Sequence, residues 1–505
     1  TVGSLTMVSR GFGFVRDILI AATLGAGMAA DVFFVAFKFP NLFRRLFAEG
    51  AFSMAFVPIF AGLLEEEGEE KAKEFADQAM AVLLWALLIF VAVIELAMPW
   101  VMRVFAPGFL DQPEKFALAV ELSRITFPYL VFISLVSLMA GVLNSFGKFA
   151  AAAATPILLN ICLIGSVLIF SPFTKSPGHA LAWGVFVAGV AQFLWLIIHC
   201  RKTGFSLSMV KPQFTDNVRL LLKRALPVAL GAGVYQINLV IDTIIASFLP
   251  EGSISYLFFA DRVNQLPLGV VGVAVGTALL PLLSRQIKAG DETAAGHSQN
   301  RAVEFSFLLT LPAAMALFII ADPLVRVLFE RGQFGETQSL ATAAALSIFA
   351  IGLPAYVLIK ALAPGFFARG DTATPVKISV AAMVVNVVLS LILMGPFLHV
   401  GIAMAMAASS WLNAGVMAYV LHRRGHLKAD KRLKGRLPRT ILASLVMAVV
   451  LFISMDQMAF WLNGDTLERA IALGLLVAAG LLSFAIAAHV SGAARLSDVK
   501  GLRRG

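Results

Sequence analysis

Charge is scarce in this chain. Asp, Glu, Lys and Arg make up 14% of its 505 residues, against about 25% in an ordinary soluble domain, which excludes a soluble globular protein. Cysteine is nearly absent as well. Cys162 and Cys200 sit in or beside apolar stretches, which reads as two buried thiols and not as a disulfide or metal framework. The seven histidines are scattered, mostly in or near loops. Enzyme signatures are missing: there is no P-loop, HExxH, GxSxG or Cys/His metal spacing. The loops are too short for a soluble catalytic domain. A membrane enzyme acting on polyprenyl phosphates would need an acidic pair for Mg²⁺, and none stands out. The ten-residue alternation of a membrane β-barrel is absent too. No cleavable signal peptide is evident. The chain begins without methionine, almost inside its first helix, so a few residues are expected to precede it.

What is present is apolar sequence: 59% of residues are hydrophobic. Apolar segments of about 20 residues, the span of a bilayer core, recur from end to end. The expected fold class is an all-α polytopic membrane protein of about fourteen transmembrane helices. They are read at 2–24, 28–62, 79–105, 117–145, 151–172, 178–200, 223–249, 253–287, 303–329, 338–368, 374–396, 399–422, 438–462 and 467–491. The net charge of +10 does not indicate nucleic acid, because its placement follows the membrane. Basic residues cluster in loops of one face, at Arg201–Arg224, Arg285–Lys288, Arg423–Arg439 and Arg495–Arg504; opposite loops hold few, such as Lys115, Lys175 and Arg331. That is the positive-inside pattern. It predicts a cytoplasmic-membrane protein with both termini in the cytoplasm.

The chain repeats itself. VPIF at 57–60 matches LPLL at 280–283, and MRVF at 102–105 matches VRVL at 325–328, both at an offset of 223 residues. Six crossings return a chain to the same side, so the copies are expected to be parallel repeats, a known transporter architecture. The expected organisation is an N-terminal lobe at 1–200, a basic cytoplasmic linker at 201–222 and a C-terminal lobe at 223–422. A basic cytoplasmic loop follows at 423–437, then two further helices and a tail at 438–505. A central cavity between the lobes would be cationic, and the added helices suit an apolar groove for a lipid tail. Prolines within spans, above all Pro40 and Pro267, are candidate hinge or cavity positions.

Residues 9–50 concentrate charge where lipid is expected: Arg10, Arg16, Asp17, Asp31, Lys38, Arg44 and Glu49. Each charge at mid-bilayer costs roughly 2.5–3.5 kcal/mol, so these side chains must face a bundle interior or a wet cavity. At about 100° per residue Arg10 and Asp17 share a face, Arg16 points about 120° away, and Asp31 shares a face with Lys38. Arg45 and Glu49 are spaced to satisfy each other. Asp261, Arg262 and Asp242 add charge in the second repeat. Salt bridging between helices accounts for Lys38, Arg45 and Glu49 at least as well as function does. Arg10, Arg16, Arg44 and Arg262 are the candidates for an anionic substrate, because arginine binds phosphate oxygens bidentately. Asp242 is a candidate for Na⁺ or proton coupling, with protonation or a hydrogen bond to a residue such as Asn386 as the alternative.

SRGFGFVRD (9–17) and DVFFVAFKFPNLFRRLFAEGAFSMAFVPIF (31–60) resemble the MurJ/MviN lipid II flippases of bacteria. FFADRVNQLPLGVVGVAVGTALLP (258–281) and LAPGFFARGDTATPVK (362–377) are similar to that family too, and the likeness covers the whole chain. The resemblance implies a non-enzymatic member of the multidrug/oligosaccharidyl-lipid/polysaccharide exporter superfamily. Its substrate would be lipid II, an undecaprenyl-pyrophosphate bearing a disaccharide-pentapeptide, moved to the outer leaflet for peptidoglycan synthesis. It implies pyrophosphate-binding roles for Arg10, Arg16, Arg44 and Arg262. It implies cavity or gating roles for Asp17, Asp31 and Glu49, to which Lys38 and Asp261 are added from their positions. A Na⁺ site found in some members would map to Asp242 and Asn386, although Ser390 stands where some members have Asp. No cofactor is expected; Na⁺, H⁺ or the membrane potential would supply energy. Membrane lipids and peptidoglycan-synthesis enzymes are the further partners. Competing readings are an exporter of another polyprenyl-linked oligosaccharide, a multidrug or cation antiporter, and a scaffold for cell-wall enzymes.

Overall fold

Helix boundaries follow local chemistry. Proline opens two helices at a position where its missing N–H costs nothing: α5 (Pro113–Thr126) and α8 (Pro177–Lys202). Side-chain caps open others. Asp291 accepts from the Ala294 amide at 2.8 Å ahead of α11 (Glu292–Ile319), and Asp430 from the Leu433 amide at 2.7 Å ahead of α15 (Lys431–Gln457). Asp465 and Glu468 form a reciprocal capping box at the start of α17 (Thr466–Ser491). The remaining helices are α1 (Val2–Leu24), α2 (Met28–Phe43), α3 (Ser53–Glu66), α4 (Glu69–Phe105), α6 (Tyr129–Ser145) and α7 (Phe149–Gly165), then α9 (Asp216–Ser247), α10 (Ser253–Lys288), α12 (Ala321–Phe329), α13 (Glu336–Phe367), α14 (Ala373–Arg423) and the short α16 (Ala459–Leu462). The computed structural model describes residues 2–45 and 52–494, without the side chains of 228–235, 237, 239 and 270–278.

Among the described residues the regular structure is helical, apart from one isolated bridge between Arg331 and Phe334. Nine of the described helical segments are long and apolar enough to cross a membrane. The chain is therefore an all-α, multi-pass membrane protein. Several expected spans are subdivided. The span expected at 117–145 breaks at Phe127–Pro128, and the span at 303–329 breaks at Ile320. The spans expected at 374–396 and 399–422 run on as α14, with non-helical geometry at Leu398 between them. Proline does not stop every helix: α10 continues through Pro267 and Pro281, and α13 through Pro354 and Pro364.

The chain divides into two compact units. The first comprises residues 1–255 with 331–334, and the second 256–330 with 335–505. In the first unit α1 packs on α7, α6 and α7 on α8, and α2 on α5, while α9 packs on α3 and α4. Phenylalanines hold much of it together. Phe39 stacks on Phe127 with centroids 4.9 Å apart and meets Phe105 edge-on, and Phe60 meets Phe205 edge-on at 5.5 Å. Phe205 lies in the stretch expected as a basic linker, 201–222, and is buried. That stretch is pinned further where the Ser208 amide donates to Asp77 Oδ1 at 2.7 Å. In the second unit α13 packs on α11, α12 and α14, and α15 lies between α11 and α17.

Candidate functional site

The charged segment belongs to the first unit. Near the end of α1, Arg16 and Asp17 are both buried. Arg16 donates through Nε and Nη2 to Asp17 Oδ1 at 2.9 and 2.7 Å, and through Nη1 to Asn160 Oδ1 of α7 at 2.9 Å. Asn160 in turn donates to the Ser9 carbonyl at 3.1 Å. Helix geometry alone had placed Arg16 about 120° away from the face of Arg10 and Asp17. The structure instead folds the long guanidinium stem back onto its neighbour, and leaves Arg10 exposed. Arg16 and Asp17 thus act as one pair that joins α1 to α7. Asn160, which completes it, carries no charge signal and lies 144 residues from Arg16.

Asp31 lies on α2 and is 1% exposed. Its Oδ2 takes the Gly252 amide at 2.8 Å and lies 3.2 Å from Lys115 Nζ. Its Oδ1 takes the Ser255 amide at 3.0 Å and the Ser255 hydroxyl at 2.7 Å. Ser255 is in the first turn of α10, so the carboxylate caps that helix and faces the positive end of its dipole. The exchange is reciprocal: Glu251 Oε1 takes the Met28 amide, in the first turn of α2, at 2.5 Å. Met28 and Glu251 are separated by 223 residues, the offset of the sequence repeat. The two helix starts, one from each copy, therefore cap each other. Lys115 is 2% exposed, with its ammonium 4.5 Å over the Phe109 ring. Composition had marked it only as a cation of a sparse loop.

Lys38, half-buried further along α2, donates to Thr243 Oγ1 of α9 at 2.6 Å. Asp242, next to Thr243, is 8% exposed. Arg44 follows α2, half-buried, with Nε donating to Asn41 Oδ1 at 2.9 Å; Arg45 is exposed, and Glu49 lies outside the described residues. The glycine at 332 lets the turn 331–334 approach α1: its φ is +59°, and a Cβ there would strike the Ala22 carbonyl. The same carbonyl accepts from the Gln333 amide at 2.8 Å.

The other sequence-derived residues belong to the second unit. Arg262 of α10 lies over the Phe258 ring at 4.8 Å, and Asp261 accepts from Gln265 Nε2. On α14, Asn386 and Ser390 are buried. Among the described residues no group of three or more His, Cys, Asp or Glu is placed to hold a metal ion.

A family model described as lipid II flippase MurJ matches residues 20–472. A relative from Rhizobium tropici, described as a probable lipid II flippase MurJ, is 46% identical over 510 residues, covering 100% of this chain and 95% of the relative. The chain belongs to the MurJ family. A solved lipid II flippase MurJ in an inward closed conformation superposes with a TM-score of 0.80 at 24% identity, covering 97% of this chain and 98% of that one. An inward-facing multidrug resistance MATE transporter of the MOP superfamily gives 0.69 at 14% identity, over 84% of this chain and 97% of that one. At these identities the two structures speak for the fold alone. Asp31, Lys38 and the Arg16–Asp17 pair are thus buried or half-buried charges of a MurJ-family protein.

Proposed function

We propose that this chain is a lipid II flippase of the bacterial cytoplasmic membrane, working by alternating access. The observation that carries the reading is the 46% identity, over the entire chain, to a relative described as a probable lipid II flippase MurJ. Transport itself requires no chemical change in the lipid, and on this reading the chain is not an enzyme. Arg10, Arg44 and Arg262 are the candidates to take the pyrophosphate. Arg16, tied to Asp17 and Asn160, holds α1 in place for them. The mutual capping of α2 and α10 acts as a gate: while it is made, Asp31 is shut away with Lys115, and when the helix starts part, water reaches both. Four charge-assisted contacts on one carboxylate make such a gate switch between two states instead of yielding gradually.

On this reading both termini are cytoplasmic, α15 and α17 form a wall for the prenyl tail, and the repeats move against one another. Asp242 and Asn386, each buried, are candidates for coupling to Na⁺ or H⁺, with the membrane potential as the other source of energy. Peptidoglycan-synthesis enzymes would receive the product. The test is lipid II exposure on spheroplasts in which this protein is the only flippase, with a lipid-II-cleaving enzyme added outside. Cleavage should stop on depletion and return with the wild type but not with Arg44→Ala. Cleavage that persists without the protein, in cells making normal lipid II, would sink the proposal and favour a scaffold or another exported lipid.

A further inference from the structure

The first unit also contains a cavity of about 630 Å³ lined by none of the residues proposed for lipid II. It lies between α5 and the start of α8, at the end of α8 opposite the basic Arg201 and Lys202. Glu121 and Arg124, three residues apart, line it from one face of α5; His179 and Trp183, four apart, line it from α8; Phe173 and Lys175 come from the preceding turn. His179 is buried, with Nδ1 2.8 Å from Ser176 Oγ and Nε2 3.3 Å from Glu121 Oε1. Lys175 Nζ lies 2.8 Å from the same oxygen. Arg124 gives Nε to the Glu95 carbonyl at 3.3 Å. The Arg124 side chain also lines the cavity.

Arg124 also faces the Glu95 carboxylate, so two cations stand beside two carboxylates, a balance that suits a zwitterionic phosphate headgroup. The rim decides what carries that phosphate. Phe173 is 83% exposed and Trp183 51%, and the neighbouring Leu168, Ile169 and Phe170 are exposed too. A soluble anion has no use for an apolar rim, whereas a lipid does. Trp183 is six residues into α8, roughly 9 Å from the helix start, and tryptophan is a residue that collects at lipid headgroups.

We propose that this cavity holds the headgroup of a membrane phospholipid, its phosphate on Arg124 and Lys175 and its chains over Trp183 and Phe173. Glu121 lines the same cavity and supplies a carboxylate for an ammonium, so an ethanolamine headgroup fits. The site is independent of the lipid II reading. Its test is native mass spectrometry of the purified protein titrated with phosphatidylethanolamine or phosphatidylglycerol. Wild type should retain one phospholipid that Arg124→Gln/Lys175→Gln binds about tenfold more weakly. Lys148→Gln, an exposed cation at the other end of the unit, should retain it. Lys175→Gln alone, at an exposed side chain that tolerates change, should weaken retention severalfold, so the outcome does not hang on how the double variant folds. Equal retention by all variants would overturn the proposal. So would displacement of the lipid by excess inorganic phosphate, which would mark a site for soluble anions.

Discussion

A buried carboxylate with four contacts has little tolerance. Removing Asp31 leaves Lys115 buried without its partner and uncaps α10, and breaking a buried pair in this way costs about 3–5 kcal/mol. Asp31→Ala should lower the melting temperature in detergent markedly. Asp31→Asn, which keeps an acceptor, should lose less. A double variant with Lys115→Met should recover part of the loss, since no charge is then stranded; additive losses would show that the two groups do not communicate. The sequence marked Asp31 as a charge that had to face inward, but its partners lie 84, 221 and 224 residues away, where periodicity has no reach. Asn160 was illegible for a plainer reason. One asparagine in an apolar helix looks like any other until an arginine is seen to use it.

Elements show the same division between pattern and partner. The two spans read at 374–396 and 399–422 are there, but no sequence signal announced that Leu398 turns between them with φ 50° and ψ −132°. That geometry belongs to the first central residue of a type II′ turn, where glycine is preferred. Leu398→Gly should therefore raise stability by about 1 kcal/mol, read from the melting temperature; a fall would mean that the leucine side chain contributes more than its strain costs. The turn before α14 carries a different device. Asp371 accepts from Arg424 Nη1 at 2.5 Å and caps the Thr374 amide at 2.9 Å. The Arg424 hydrogen bond, with help from Thr374, holds the Asp371 carboxyl far below its ordinary 3.8. The folded-state value is depressed, so the contribution to stability is present above about 4 and is lost as pH falls through the folded value. Arg424→Gln should flatten that acid limb in pH-dependent unfolding. Across α11 and α15, Glu304 gathers three arginines, Arg301, Arg432 and Arg436. Glu304→Gln removes the charge that keeps them together and should destabilise by about 3 kcal/mol or more, seen first as proteolysis near residue 430.

For the molecule as a whole, hydropathy and length were enough to read an all-α membrane protein, because lipid forces the backbone into helices. Long motifs were enough to read the family. Packing was less legible: α9, which opens the second sequence repeat, packs with the helices of the first unit. On the proposed function, transport rests on Arg44 and Arg262. Arg44→Ala and Arg262→Ala should each abolish lipid II exposure while the protein still inserts and accumulates; growth of depleted cells on both variants would contradict the proposed role. The mutual capping of α2 and α10 also bears on how the protein is made. The Gly252 amide that Asp31 binds is 221 residues further along the chain. At about 5–20 residues per second a ribosome needs roughly 10–45 s to reach it. During that interval Asp31 can be supported only by Lys115 and whatever water or helper protein attends it. The first repeat is thus inserted on a provisional footing, and its own acid is settled only when the second repeat begins to emerge.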